Sequence, residues 1–309
     1  MTGNPKRMID IIQPSNPHSP SRTEAWILAT RPKTLPAAVG PVLVGSALAF
    51  ADGRFDLLPA LVALGVALLV QVGVNLANDY FDYQRGIDTK ERLGPMRVTQ
   101  SGLISPWKVF VAMAGTLGLA GLLGGYLAVK GGWPVVVAAA AAILSALAYS
   151  AGPYPLASNG LGDLFVFIFF GPVAVCGTYY VQAHTLSPFV LPASIPSGLL
   201  ITAILVVNNL RDIPTDRKTG KITLAVRMGV HNSVNFYAFL VAAAYPVLFV
   251  FPPAGYGYLT LLPFASLPMA IYWMRFIRRE IGRNLNRALA GTAMLSLVFG
   301  ILFSLGFLL

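Results

Sequence analysis

The sequence predicts an all-α integral membrane protein, a bundle of nine transmembrane helices with the N-terminus cytoplasmic and the C-terminus outside. Three observations carry that reading. The first is composition: of 309 residues, 56% are hydrophobic and only 11% charged, with a mean hydropathy of +0.68. A soluble domain of this size carries about a quarter of its residues as Asp, Glu, Lys and Arg. The second is pattern. Apolar stretches recur near 25–51, 57–81, 107–129, 134–151, 160–183, 189–210, 234–252, 257–274 and 286–309. They are continuously apolar rather than alternating, which favours helices over a barrel. The third is the distribution of basic residues. Numbering the loops between these nine runs puts 20 of the 22 Lys and Arg on one face of the membrane and leaves only Arg54 and Lys130 on the other. Basic loops stay in the cytoplasm, so the N-terminus and the long even-numbered loops face inward.

The elements follow in order. Residues 1–22, rich in Pro, Ser and Asn, read as a disordered cytoplasmic tail, and the run at 9–12 is too short for a signal-peptide core. Residues 23–309 form the transmembrane domain. The first span is interrupted near its start by Arg31 and Lys33. Gly and Ala crowd 115–125 and 138–142, which lets helices approach closely in lipid. The net charge of +10 is spread over loops rather than over a soluble face, so nucleic acid is not an expected partner. The single cysteine, Cys176, lies inside an apolar run, and His18, His184 and His231 lack ligand spacing, which excludes a disulfide framework and a zinc site.

The twelve carboxylates are the main functional signal. Asp79 and Asp82 follow Asn75 and Asn78 at the cytoplasmic end of the second span, with Asp88 six residues further on. Asp212 and Asp216 follow Asn208 and Asn209 at the cytoplasmic end of the sixth. Spacings of three and four residues put each pair on one helix face. Like charges so placed need a compensating cation. A hard divalent ion such as Mg²⁺ takes one or two carboxylates and completes its shell with phosphate oxygens. Arg97, Lys221 and Arg227 stand in the adjoining basic loops and would supply further positive charge to a leaving diphosphate. The plainer reading, in which the acids only mark solvated helix ends, fits an isolated acid better than two Asn-led pairs at matching depth. Pro214 is expected to end or kink the sixth helix. The two segments also form a weak internal repeat of apolar span, Asn, spaced Asp and basic loop.

These motifs resemble those of the UbiA superfamily of intramembrane prenyltransferases. The first family motif, Asn-Asp-x-x-Asp with a further Asp, is matched by Asn78, Asp79, Asp82 and Asp88; the second, Asp-x-x-x-Asp, by Asp212 and Asp216. The resemblance covers nearly the whole chain from about Trp26. It is strongest to the branch that acts on 1,4-dihydroxy-2-naphthoate in menaquinone biosynthesis, through Arg31-Pro32-Lys33, the run from Asn78 to Asp88, Arg92 to Arg97, Gly160 to Asp163, Asn209 to Asp212 and Gly220 to Arg227. Many superfamily members place the third acid where this chain has Gly86, and its offset to Asp88 points to that branch.

The resemblance implies Mg²⁺ as cofactor, a polyprenyl diphosphate and dihydroxynaphthoate as substrates, and electrophilic aromatic substitution with loss of diphosphate and CO₂. It implies metal contacts at Asp79, Asp82, Asp88, Asp212 and Asp216. It also implies substrate contacts at Asn75, Asn78, Arg97, Asn209, Lys221 and Arg227. Tyr149 matches a family tyrosine beside the reacting carbon and either stabilises the allylic cation through its π face or is an interfacial tyrosine. Arg31 or Lys33 receives the acceptor carboxylate or anchors topology, and Asp163 orients a basic residue or the naphthoate hydroxyls, or caps a helix. The loop 84–106 is a candidate lid, and the cluster from Arg275 to Arg287 is a topology signal. Two rivals remain: a different aromatic acceptor (4-hydroxybenzoate, homogentisate or a chlorophyll precursor), and a cation-coupled transporter, which would place its acids nearer the midplane.

Overall fold

The computed structural model describes residues 20–87 and 93–309, so most of the expected tail, together with Asp88, Lys90 and Arg92, lies outside the described residues. Within them every regular element is helical. Helix α1 (Arg22–Thr30) opens with a capping box in which the Ser21 hydroxyl accepts the Glu24 N–H and the Glu24 carboxylate accepts the Ser21 N–H. It closes at Arg31, whose φ of 51° is left-handed. A short 3₁₀ turn, Pro32–Thr34, leads into α2 (Pro36–Ala51). The two helices bend by 49°, so the first expected span is a broken one. Pro32 and Pro36 each lack an N–H to continue a helix, and Pro32 disfavours right-handed helical backbone at Arg31, which is left-handed here.

Helix α3 (Leu57–Gln84) follows, capped by the Asp56 side chain, then α4 (Pro106–Gly131) and α5 (Trp133–Ser150). Helix α6 (Gly162–Ile168) runs through a π turn, Phe169–Val173, into α7 (Ala174–Ala183). Helix α8 (Val190–Lys218) is the most buried of the apolar spans and α5 the least. Helix α9 (Leu224–Ala243) passes into three 3₁₀ stretches, and α10 (Leu267–Arg279) and α11 (Leu285–Leu308) close the bundle. Among the described residues eight helical stretches are long and apolar enough to cross a bilayer, and the bent α1–α2 pair makes a ninth. The expected count therefore holds, while one boundary moves: α8 does not end at Pro214 but runs on to Lys218. α9 is broken at Gly229, whose φ of 76° and ψ of 173° are not helical, so the continuous helix of the seventh span starts just after it, near the expected boundary. A proline fits helical φ and removes one hydrogen bond; continuity through it keeps Asp212 and Asp216 in one helical register.

The core is built around α8, α2 and α11, with Leu48, Leu200, Val207, Phe299 and Phe303 fully or almost fully buried. Backbones touch where glycines meet. A Cβ added to Gly300 would lie 3.2 Å from the Gly40 Cα, and one on Gly171 would lie 3.0 Å from the Gly198 Cα. The first contact closes α11 on α2; the second seats the π turn against α8. The outward faces stay apolar, as at Val129, 87% exposed, and at Leu122, Trp133 and Leu144. Water would penalise such faces and lipid does not. This is a multi-span membrane protein.

Candidate functional site: an acid-ended cavity between helices α3 and α8

A cavity of about 740 Å³ lies within the bundle. Its polar end is set by the last turns of α3 and α8. From α3 it receives Asn75, Asn78 and Asp82; from α8, Asn208, Asn209, Asp212 and Asp216; and Arg31, Arg97, Tyr149, Ser150 and Lys221 complete the wall. The rest is mainly apolar, formed by Ala138, Ala139 and Ala142 of α5 and by Phe169, Phe170 and Pro172 of the π turn, with Gln71, Ser145 and Thr178 interspersed. The helix break thus contributes lining directly, which is a common use of π geometry.

Carboxylates at helix C-termini sit at the negative end of the helix dipole, so each must be offset. Each cavity-facing acid has a cation beside it. Arg97 Nη2 donates to Asp82 Oδ2 at 2.9 Å, with both side chains buried. Arg211 grips Asp212 through both oxygens, Nε to Oδ1 at 2.8 Å and Nη2 to Oδ2 at 2.6 Å. Lys221 Nζ lies 4.0 Å from Asp216 Oδ1. Arg211 is itself 1% exposed, and a buried guanidinium needs every donor occupied. Asn208 Oδ1 accepts from its Nη2 at 2.8 Å and Asn286 Oδ1 from its Nη1 at 2.7 Å.

Asp79 stands apart from the other acids. It is buried but does not line the cavity. Its two oxygens accept the backbone N–H groups of Val98 and Thr99, each at 3.1 Å. The expected metal contact is thus turned toward the connection after α3, where it holds the turn that carries Arg97. Its place in the helix explains this: Asp82, three residues on, occupies the cavity face, and Asp79 is displaced around the helix toward the following loop.

Other expected residues also divide. Asn78 lines the cavity and is hydrogen-bonded by the Ser150 hydroxyl, a residue the sequence reading passed over. Asn75 spends its amide donors on the Thr30 carbonyl at 2.9 Å and Thr34 Oγ1 at 3.1 Å, so it fastens the α1–α2 joint to α3. Arg31 reaches the cavity from that joint, whereas Lys33 is exposed and outside it. The left-handed backbone at Arg31 costs about 1–3 kcal/mol in a residue with a Cβ, a strain often found at functional sites. Tyr149 lines the cavity close against Gly162, where a Cβ would come within 3.3 Å of its hydroxyl. Asp163 does not line it; it is buried in the first turn of α6, and its Oδ2 has no hydrogen-bond partner among the described residues. Arg227 also misses the cavity: it packs on Gly160 and donates from Nη2 to the Asn159 carbonyl at 2.9 Å, bracing the connection between α5 and α6. Arg211 was legible as a charge inside the second motif, whereas Thr34, Ser150 and Asn286 carried no motif that would mark them.

Among the described residues no three carboxylates, imidazoles or thiolates converge into a ready-made ion site. The cavity's donors are hard carboxylate and amide oxygens, which fit Mg²⁺, and two separated carboxylate groups suit an ion that completes its shell with diphosphate and water.

The sequence model of the UbiA prenyltransferase family matches residues 38–298. The chain is 38% identical over 294 residues to 1,4-dihydroxy-2-naphthoate octaprenyltransferase of Escherichia coli (strain K12), covering 90% of this chain and 94% of that protein. It is 42% identical over 225 residues to the protein of the same name in Mycobacterium tuberculosis (strain ATCC 25618 / H37Rv), covering 73% and 77%. Among solved structures it resembles a UbiA homolog from Archaeoglobus fulgidus bound to GPP and Mg²⁺, with a TM-score of 0.63 at 17% identity over 92% of this chain and all of that one. At that identity the likeness concerns the fold.

Proposed function

This chain belongs to the UbiA prenyltransferase family, and on that premise we propose that it transfers a polyprenyl group from polyprenyl diphosphate to 1,4-dihydroxy-2-naphthoate. Diphosphate and CO₂ leave and demethylmenaquinol, the hydroquinone form of demethylmenaquinone, is formed, a step of menaquinone biosynthesis. The acceptor follows from the shared name of relatives at 38% and 42% identity. One structural observation carries the chemistry: a single cavity joins the braced carboxylates to a long apolar wall. A prenyl diphosphate has that same division into charged head and apolar tail.

Asp82, Asp212 and Asp216 would hold Mg²⁺, with Asn78 and Asn209 as further oxygen donors beside them. Bound there, Mg²⁺ neutralises diphosphate and eases its departure. Arg97 and Lys221 supply the remaining positive charge to the leaving group. Asp79 positions Arg97 through Val98 and Thr99, and Asp88, the further acid of the first motif, remains a proposed metal contact. As the allylic C–O bond breaks, its electron pair leaves with diphosphate. The apolar wall keeps water from the resulting cation, and Tyr149 offers it a π face. The electron-rich naphthoate ring then forms the new C–C bond, and loss of CO₂ returns an electron pair to the ring. Arg31, which lines the cavity, would receive the acceptor carboxylate in preference to Lys33, which does not, and Arg227, outside the cavity, is left out of the charge offered to diphosphate. Asp163, behind Tyr149, orients the acceptor side of the pocket.

The basic loops favour an orientation with the acid end of the cavity at the cytoplasmic face of the cell inner membrane. The catalytic unit comprises residues 23–309, with Ser21 and Arg22, which start α1, joined to it. The transporter alternative is disfavoured because the acids stand at helix ends rather than at mid-span. The test is purified protein with Mg²⁺, a prenyl diphosphate and a panel of aromatic acids. Product from dihydroxynaphthoate, abolished by EDTA and restored by Mg²⁺, is expected. Product from 4-hydroxybenzoate or homogentisate and none from dihydroxynaphthoate overturns the acceptor.

A further inference from the structure

Asn286 lies near the start of α11, outside both motifs and outside the cavity lining. Its side chain makes two hydrogen bonds to residues far away in sequence. Oδ1 accepts from Arg211 Nη1 at 2.7 Å, and Nδ2 donates to the Leu93 carbonyl at 3.0 Å. The orientation of the amide is determined by these partners. A guanidinium can only donate and a carbonyl can only accept, so the flipped amide would lose both bonds.

The two contacts belong to different halves of the site. Arg211 holds both oxygens of Asp212, in the second acidic pair. Leu93 lies in the connection after α3, and four residues later that connection delivers Arg97 to Asp82. Further on, the same segment is pinned by Asp79 at Val98 and Thr99. The segment carrying Arg97 is therefore held from α3 through Asp79 and from α11 through Asn286. The α11 hold also touches the brace of the opposite acid.

We propose that Asn286 is a positioning residue that couples the two acidic pairs, setting the Arg97 segment and the Arg211–Asp212 fork in register. The proposal rests on the reading of the cavity as a Mg²⁺-diphosphate site. A diphosphate bridged between α3 and α8 needs both acids at a defined separation, and positioning errors of about 1 Å are costly in such sites. A lone amide buried only for packing would satisfy one neighbourhood; this one spans two.

The test uses the full chain in detergent, titrated calorimetrically with Mg²⁺ and geranyl thiodiphosphate, whose sulfur bridge resists ionisation, and followed by amide hydrogen exchange over 93–101. Asn286→Leu removes both bonds while keeping the branched shape of the side chain. Asn286→Asp keeps an acceptor for Arg211 and loses the donor to Leu93. The expected result for Asn286→Leu is about tenfold weaker Mg²⁺-dependent binding, the scale of losing a hydrogen bond to a charged group, with faster exchange at 93–101. Asn286→Asp should speed that exchange while losing less affinity. In combination with Arg211→Lys the loss should be less than additive, because both act on one network. Unchanged binding by folded Asn286→Leu overturns the proposal; if that variant does not fold, unchanged binding and exchange in Asn286→Asp overturn it. Failure of the wild type to bind thiodiphosphate in a Mg²⁺-dependent way overturns the underlying reading of the site, and the proposal with it.

Discussion

At the scale of single residues, the site separates acids that look alike in the motif. Asp82 faces the cavity and is paired with Arg97, whereas Asp79, three positions earlier, is occupied by two backbone N–H groups. An asparagine at each position should therefore fail differently. Asp82→Asn removes a proposed metal oxygen's charge, and turnover should fall by about 2.7–4 kcal/mol of transition-state stabilisation, as when a key electrostatic group is lost, with a raised Mg²⁺ requirement. Asp79→Asn keeps one acceptor and should leave the Mg²⁺ requirement near wild type while accelerating amide exchange at Val98 and Thr99. Mg²⁺ titrations of initial rate, read beside hydrogen exchange, distinguish the two. Equal shifts in Mg²⁺ requirement would return Asp79 to the metal.

At the scale of elements, the cavity depends on helices that meet through glycine. The π turn lies against α8 at Gly171 and Gly198, and it presents Phe169, Phe170 and Pro172 to the cavity. A Cβ on Gly198 would fall 2.8 Å from the Phe167 ring and 2.9 Å from the Phe167 carbonyl oxygen. Because the second obstacle is backbone, rotamer changes cannot relieve it. Gly198→Val should destabilise the fold by about 1–3 kcal/mol, the usual cost of overpacking, and lower the melting temperature in detergent. Its activity should fall with it, because separating the π turn from α8 moves the apolar wall. A wild-type melting curve for that variant would show that the two elements part freely.

At the scale of the whole molecule, the spans surround a cavity polar at one end and mainly apolar along the rest. The middle of the α5 wall is formed by Ala138, Ala139 and Ala142, the smallest side chains that still form helix well. α5 is also the least buried span, so that wall stands between the cavity and lipid. A bulky substitution there should shorten the prenyl group the protein accepts. Ala142→Trp is expected to reduce turnover of long polyprenyl diphosphates far more than that of geranyl diphosphate, measured as the ratio of kcat/KM across a chain-length series. An unchanged ratio would place the tail elsewhere.

Chain composition, run length and loop charge were enough for the membrane class and the span count, because a bilayer demands about 20 apolar residues per crossing whatever the packing. The motifs likewise marked Asp212 and Asp216, since a spacing of four residues shares a helix face in any fold; the spacing of three marked Asp82 as well, but paired it with Asp79, which the fold turned away from the cavity. Other features depend on what another element brings near, and local pattern carries no such information. The break at Arg31 was visible only as an interruption, and its bend came from prolines acting on backbone geometry. Asp79 and Asp82 share a motif, but the connection after α3 claims one and the cavity the other. Lys33 and Arg227 were basic residues in suitable loops that the tertiary arrangement turned elsewhere. Asn286 had no local signature at all, because its partners are 193 and 75 residues away. The chain by itself determined the helices, their number and the acids at their ends. The packed bundle decided which of those acids share a cavity, because only a contact between distant segments can say which side of a helix faces the reaction.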